Sequence, residues 1–256
     1  AERECLRTFA KEDPMRRTSM LVSCMLVMAV MVFIMAAGSA KKSAYTRDFN
    51  IHCTDSLLST GGNQFLILNP GAFWRFEGED DLQPVVVEIV VLPETRRIRF
   101  PADGGMMRVT TRVVEEHEFI NGELTQVSHR YLAACPNTGN VYTFGERVHD
   151  LENGEMVLSD ESWMAGKGGA RPGLCMPGYF LLGSRYHLAM APGVSLVCAE
   201  DIDSGGSVET AAGVFHNCAV VLETTPLEPD EEVLKIYAPG VGLIQDGDIQ
   251  LVDYQL

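Results

Sequence analysis

The chain has 256 residues, of which 46% are hydrophobic, and carries 20 Lys and Arg against 35 Asp and Glu, a net charge of −15. A field of that sign repels phosphate backbones and anionic headgroups, which argues against nucleic acid as a partner. It fits a well-solvated protein, a cationic partner or metal ions.

Residues 1–14 are mostly charged or polar and precede the first Met, so they read as an upstream segment outside the fold. Residues 15–40 read as a cleavable signal peptide. Arg16 and Arg17 form its basic start, Leu21 to Gly38 its apolar run, and Gly38-Ser39-Ala40 its small-residue end. An 18-residue apolar run is also just long enough for a retained anchor, but the small-residue end favours cleavage after Ala40. Residues 41–64 read as a tether, polar and weakly patterned over Lys41–Thr60, and 65–256 as a single β domain. Without residues 1–40, 216 residues remain, with 15 basic and 31 acidic side chains and a net charge of −16.

Beyond the tether the apolar pattern has a period close to two, and no long stretch has helical spacing. Strand-like runs are Phe73–Glu77, Val85–Leu92, Met106–Ile120, Glu123–Ala133, Val141–Leu151 and Glu155–Trp163. They continue with Tyr186–Met190, Val194–Glu200, Gly206–Thr210, Val214–Thr224, Glu232–Tyr237 and Gly242–Tyr254, the last folded on itself. Asn121-Gly122, Asn153-Gly154 and Asp246-Gly247 sit between such runs and suit two-residue hairpin turns; Gly205-Gly206 reads similarly. The pattern predicts an all-β antiparallel meander that hides its edges by curling into a barrel or half-barrel.

Turn positions predict registers. About Asp246-Gly247, Gln245 should face Asp248 and Ile244 should face Ile249. About Asn121-Gly122, His117 should face Gln126 and His129 should face Val114, which puts the two imidazoles on opposite faces and argues against a shared metal. The same register places Met107, Val109, Thr111 and Val113 on one face with Leu132. Arg147 should meet Asp160 across the Asn153-Gly154 turn.

Motifs for chemistry are sparse. There is no H-E-x-x-H, phosphate loop, dinucleotide fingerprint or G-x-S-x-G elbow, so no cofactor and no catalytic residue is implied. Asp201, Asp203 and Gly205 echo the opening of a calcium loop but lack its later ligands, and read as an acidic turn. Five cysteines follow the leader: Cys53, Cys135, Cys175, Cys198 and Cys218. The odd count leaves at least one without an intrachain partner. A disulfide between Cys198 and Cys218 is one pairing to test. Trp74 and Trp163, the only tryptophans, are core anchors by default; together with Tyr186 they are also the candidates for lining a ligand groove. His187, Met190 and Cys198 are the candidates for a metal.

Several segments resemble a group of uncharacterised bacterial exported proteins. Leu68-Asn69-Pro70-Gly71-Ala72-Phe73-Trp74 is similar to its L-x-P-G-x-x-W opening, and Ser162-Trp163-Met164-Ala165-Gly166 to its S-W-x-A-G stretch. Ala212-Gly213-Val214-Phe215-His216-Asn217-Cys218 resembles its A-G-x-F-x-N-C turn, and Tyr237-Ala238-Pro239-Gly240-Val241-Gly242-Leu243 its closing segment. The resemblance implies export and a β-rich, curved half-barrel fold of the lipoprotein type, and carries no activity. At Tyr186 to Ser195 the chain departs from the carboxylates that the group suggests.

The expectation is an exported, non-enzymatic domain, periplasmic or extracellular in a bacterium, that binds an envelope component or a small apolar ligand in its concave face. It would meet a membrane only through an uncleaved leader. The rivals are a secreted hydrolase whose carboxylates converge only in the fold, and a metal-handling protein. A wide apolar cavity favours the first, converging buried carboxylates the second, and clustered His, Met and Cys the third.

Overall fold

The computed structural model describes residues 44–47, 51, 53, 56–80, 82–102 and 105–256. They belong to one compact unit, Ala44–Leu256. The leader and its cleavage site lie outside the described residues. Among those described, no helix is long and apolar enough to cross a membrane.

The protein is all-β and antiparallel. A two-stranded ladder, β1 (Gly62–Asn63) with β2 (Leu66–Ile67), precedes the main sheet. The first meander is β3 (Phe73–Asp80), β4 (Gln83–Ala102), β5 (Gly105–Ile120), β6 (Glu123–Ala134) and β7 (Val141–Glu152). Three short strands follow: β8 (Glu155–Leu158) and β9 (Trp163–Met164), which both pair with β7, and β10 (Gly173–Met176). After β11 (Arg185–His187) comes a second meander, β12 (Cys198–Thr210), β13 (Gly213–Thr225), β14 (Glu228–Ala238), β15 (Gly242–Asp246) and β16 (Ile249–Gln255). The last strand pairs with β3, so the path runs β10-β7-β6-β5-β4-β3-β16-β15-β14-β13-β12-β11.

The two ends of this path come together without closing a ladder. Arg171 and Met190 form a single bridge, with Arg171 N donating to Met190 O at 2.9 Å. At Gly173 the backbone lies against Leu188 so closely that a Cβ would overlap the Leu188 carbonyl, so only glycine fits there. The edge strand β11 is covered by Thr46, whose N–H donates to Arg185 O at 2.9 Å and whose carbonyl accepts from His187 N at 3.2 Å. Such cover blunts an exposed edge. Leu58 likewise exchanges two 2.8 Å backbone bonds with Ala134, and Cys53 is disulfide-bonded to Cys135. The segment read as a tether is therefore fastened to the domain at Thr46, Cys53 and Leu58.

Period-two alternation builds the core. Val85, Val87, Ile89 and Val91 of β4 are buried while the intervening residues are less so, and Trp74 and Phe76 of β3 do the same. Phe76, Leu68, Ile244 and Leu251 are fully buried. Each such side chain contributes about 1.5–3 kcal/mol. The β4 strand outruns its predicted end at Leu92. A register shift between Val91 and Thr95 passes Pro93, which has no N–H to give to the ladder. Buried Arg112 satisfies the carbonyls freed there. It donates to Leu92 O at 3.2 Å and Pro93 O at 2.7 Å, and through Nε to Ser59 O at 2.7 Å.

Turn chemistry and register part company at several places. Asn121 and Asn153 have positive φ of 53° and 52°, as two-residue turns with the following Gly require. The last turn is centred on Gly247 and Asp248, so Gln245 faces Gln250 and Asp246 faces Ile249, a slip that preserves faces. Gly205-Gly206 is no turn: β12 runs through it with register shifts and turns at Ala211–Ala212. The β7–β8 ladder ends at His149 opposite Leu158, short of Arg147 and Asp160.

A bulge overturns the expected Asn121-Gly122 register. Phe119 faces Leu124, but Glu118 faces Gln126, leaving Thr125 as the extra residue. Its hydroxyl donates to the Glu118 carbonyl at 3.1 Å. Every pair beyond it changes face. His129 now faces Glu115, and one carboxylate sits between His117 Nε2 at 3.2 Å and His129 Nε2 at 2.9 Å. The two imidazoles thus share a face. Leu132 faces Arg112 and so leaves the face of Val113.

Candidate functional site: the cavity inside the sheet

The curled sheet encloses a cavity of about 290 Å³. Part of its wall is apolar: Phe65, Leu68 and Trp74 from the opening segment, Ile89 and Val91 from β4, and Val114 and Leu132 from β5 and β6. Leu188, Val197 and Leu243 also belong to that part. Volume and lining lie at the small end of ordinary small-molecule sites.

The rest of the wall is charged, in two rows. On the first meander Arg130 of β6 donates to Glu116 of β5 at 2.7 Å and lies 3.9 Å from Glu146 of β7. On the second, Lys235 of β14 lies 2.9 Å from Asp246 of β15 and 3.5 Å from Glu223 of β13. Each row is acid–base–acid across three neighbouring strands, so cross-strand pairing makes it. The Thr125 bulge brings Arg130 to the face of Glu116. A second bulge sets Phe144 and Gly145 opposite Tyr131, which lets Thr143 and Glu146, three residues apart, both face inward.

Four carboxyl groups share two cations inside the protein. Burial pushes the Glu146 carboxyl up, partly offset by Arg130, and burial likewise pushes Glu223 up against the pull of Lys235. Burial opposes the charge on Arg130 and Lys235, but their carboxylate neighbours outweigh it and hold both above the ordinary value. Burial also pushes the Cys175 thiol up to about 11 and raises the Tyr237 hydroxyl; both groups line the same cavity. The side chains of the two rows are enclosed by protein yet retain 13–31% exposure.

Of the residues singled out in the sequence, Trp74 and Trp163 line this cavity. Trp74 Nε1 donates to Val241 O at 2.8 Å, whereas buried Trp163 Nε1 has no acceptor among the described residues. Tyr186 does not line it: its hydroxyl donates to buried Asp201 at 3.0 Å. His187 Nδ1 and Cys198 Sγ are 3.4 Å apart across β11 and β12, while Met190 Sδ is engaged by Arg171 at 3.9 Å. Among the described residues no three His, Cys, Asp or Glu side chains gather as metal ligands. Asp201 and Asp203 belong to β12 rather than to a turn.

Cys198 and Cys218 are free thiols, contrary to the proposed bridge. Cys198 faces Thr224 and Cys218 faces Gly206. Cys218 and Thr224 are six residues apart, about 20 Å along a strand at 3.4 Å per residue. The disulfide joins Cys53 and Cys135, with Cα atoms 5.6 Å apart.

None of the six charged residues of the two rows was expected from the sequence to line a cavity; Asp246 was read only as a turn residue. Their signal was a charge at an inward position of an apolar strand: Glu116 beside Val114, Arg130 beside Leu132. The Thr125 bulge hid it. Compared with known protein families, curated proteins and solved structures, the chain matches none.

Proposed function

We propose that this is an exported, non-enzymatic binding domain whose curled sheet, a half-barrel in outline, holds a small amphipathic ligand. The observation that carries the reading is the divided wall of the cavity, aliphatic and aromatic on one part and acid–base on the other. The aliphatic and aromatic part accepts an apolar body, and the charged rows, paired within themselves, admit polar groups on the ligand without requiring them. Export is supported by the leader-like segment at 15–40, by the resemblance to exported proteins, and by the Cys53–Cys135 bridge, which an oxidising compartment preserves.

The test uses N-phenyl-1-naphthylamine, a neutral apolar fluorophore. It should bind once per chain, quench tryptophan emission through Trp74 and Trp163, and slow the alkylation of Cys175. Absence of saturable binding, or binding without protection of Cys175, contradicts the reading.

A hydrolase is the second reading. It is favoured by Glu146 and Glu223, two carboxyl groups that burial holds above their ordinary range beside a cavity, as general acids require. Glu146→Gln and Glu223→Gln separate the two readings. They abolish turnover of a hydrolysable ester or glycoside if this reading holds, and only shift dye affinity if the first one does.

A further inference from the structure

A second pocket, about 420 Å³, lies beside the first and shares two wall residues with it, Trp163 and Glu146. It is bounded on one flank by the 162–170 segment and on the other by Ala191, Pro192 and Val194. Those are the segments that flank the Arg171–Met190 bridge, where the sheet path fails to close. Trp163 therefore stands between an outer opening at the seam and the inner cavity.

The charge of this opening is opposite to that of the molecule. In a chain of net charge −15, three cationic side chains line it: Arg96, Arg147 and Lys167, with Glu146 the one carboxylate among the lining residues. Arg96 is held in place, its Nη1 donating to Tyr131 Oη at 2.9 Å and its guanidinium 4.8 Å from that ring centre. Arg147 and Lys167 are exposed and make no side-chain hydrogen bond or ion pair among the described residues. Trp163 is 6% exposed, and its unpartnered Nε1 is a donor waiting for an acceptor in the same wall. Buried donors are ordinarily satisfied, so an unsatisfied one beside a pocket points to a ligand oxygen.

We infer that this opening is the port of the cavity and that it selects anionic amphiphiles, with Arg147 and Lys167 receiving the head group and Trp163 N–H contacting it as the apolar body passes inward. The inference rests on the cavity-binding reading above. The carboxylate excess inside repels the anionic head, which therefore stays at the port. The ligand is thus held in one orientation, head outward. The chemistry fits a carboxylate, sulfonate or phosphate head equally.

The test compares two probes with closely related aromatic bodies: 8-anilinonaphthalene-1-sulfonate, which carries the anion, and neutral N-phenyl-1-naphthylamine. Wild-type oxidised protein at low salt should bind the sulfonate about tenfold more tightly, which is about 1.4 kcal/mol. Each probe should displace the other, and added salt should shrink the difference. The Arg147→Glu/Lys167→Glu double variant should lose the preference and keep its affinity for the neutral probe; both positions are exposed, and an unchanged Tm checks the fold. Equal affinities in wild type, or a preference that survives the double reversal, overturns the port while leaving the cavity reading intact. If neither probe binds and Cys175 alkylates at an unchanged rate, the cavity reading falls and the port with it.

Discussion

The two charged rows of the cavity have the same pattern and different construction. In Glu223–Lys235–Asp246 a compact ammonium sits between two carboxylates at 3.5 and 2.9 Å, and its side chain is 18% exposed. In Glu116–Arg130–Glu146 a guanidinium with five donors holds one carboxylate at 2.7 Å and the other only at 3.9 Å. Its Nε has no acceptor among the described residues, and its side chain is 31% exposed. The lysine row is closed on itself. The arginine row keeps a donor free, and its Glu146 also lines the seam opening. Under the proposed binding function, the lysine row closes the container and the arginine row is the one that meets its contents, although both arise from the same cross-strand rule.

The walls also differ in how they are fastened. Cys135, which directly follows β6, carries the disulfide to Cys53, whereas Cys198 and Cys218 in the second meander are free. The largest expected effect follows from this. Cys53→Ser/Cys135→Ser should cost about 2–5 kcal/mol in chemical denaturation, in the range for a bridge closing a long loop. The loss should appear first as faster hydrogen exchange in β5–β7, with β13–β15 lagging. Uniform acceleration across both walls would remove the distinction in fastening.

Next in size is the contrast between the two cations. Lys235→Met leaves Glu223 and Asp246 enclosed without a partner and should cost about 3 kcal/mol. Arg130→Met should cost nearer 1 kcal/mol, because its row already faces the void and is more loosely paired. Its larger effect should be on probe affinity. Equal stability losses, or a binding loss in the lysine variant alone, would reverse the roles given to the two walls.

The smallest effect is one of pH in the second meander. Burial raises the Asp201 carboxyl to about 6, against the lowering hydrogen bonds from Tyr186 and Leu181 N. A carboxyl raised in the folded state binds its proton more tightly there than in the unfolded chain. Its contribution is therefore fully present below the ordinary carboxylate value and is lost as pH rises to about 6. Asp201→Asn should flatten this fall in urea midpoints measured from pH 4 to 7. An unchanged slope would move the titration elsewhere, with Glu146 and Glu223, which shift in the same direction, as the next residues to substitute.

The all-β class, most of the strands and their buried faces, and the turns at Asn121-Gly122 and Asn153-Gly154 were legible in the sequence alone. Each of these follows from local chemistry: a period of two in apolar side chains, and positive φ at Asn-Gly. Short β10, with no alternation long enough to read, escaped, as did the continuation of β4 past Pro93. The site was not legible in the sequence, because it depends on strand register and long-range pairing. Two local irregularities, at Thr125 and at Phe144-Gly145, each change which side chains share a face, and one extra residue is enough because the side-chain period is two. Moving Arg130 and Leu132 to the inner face makes the Asn121-Gly122 hairpin one wall of a cavity. The other wall exists only because β16 pairs with β3, more than 160 residues away along the chain, and brings the second meander round to face the first. No window of neighbouring residues records that pairing, because the free energy that selects it comes from burying both meanders' apolar faces against each other.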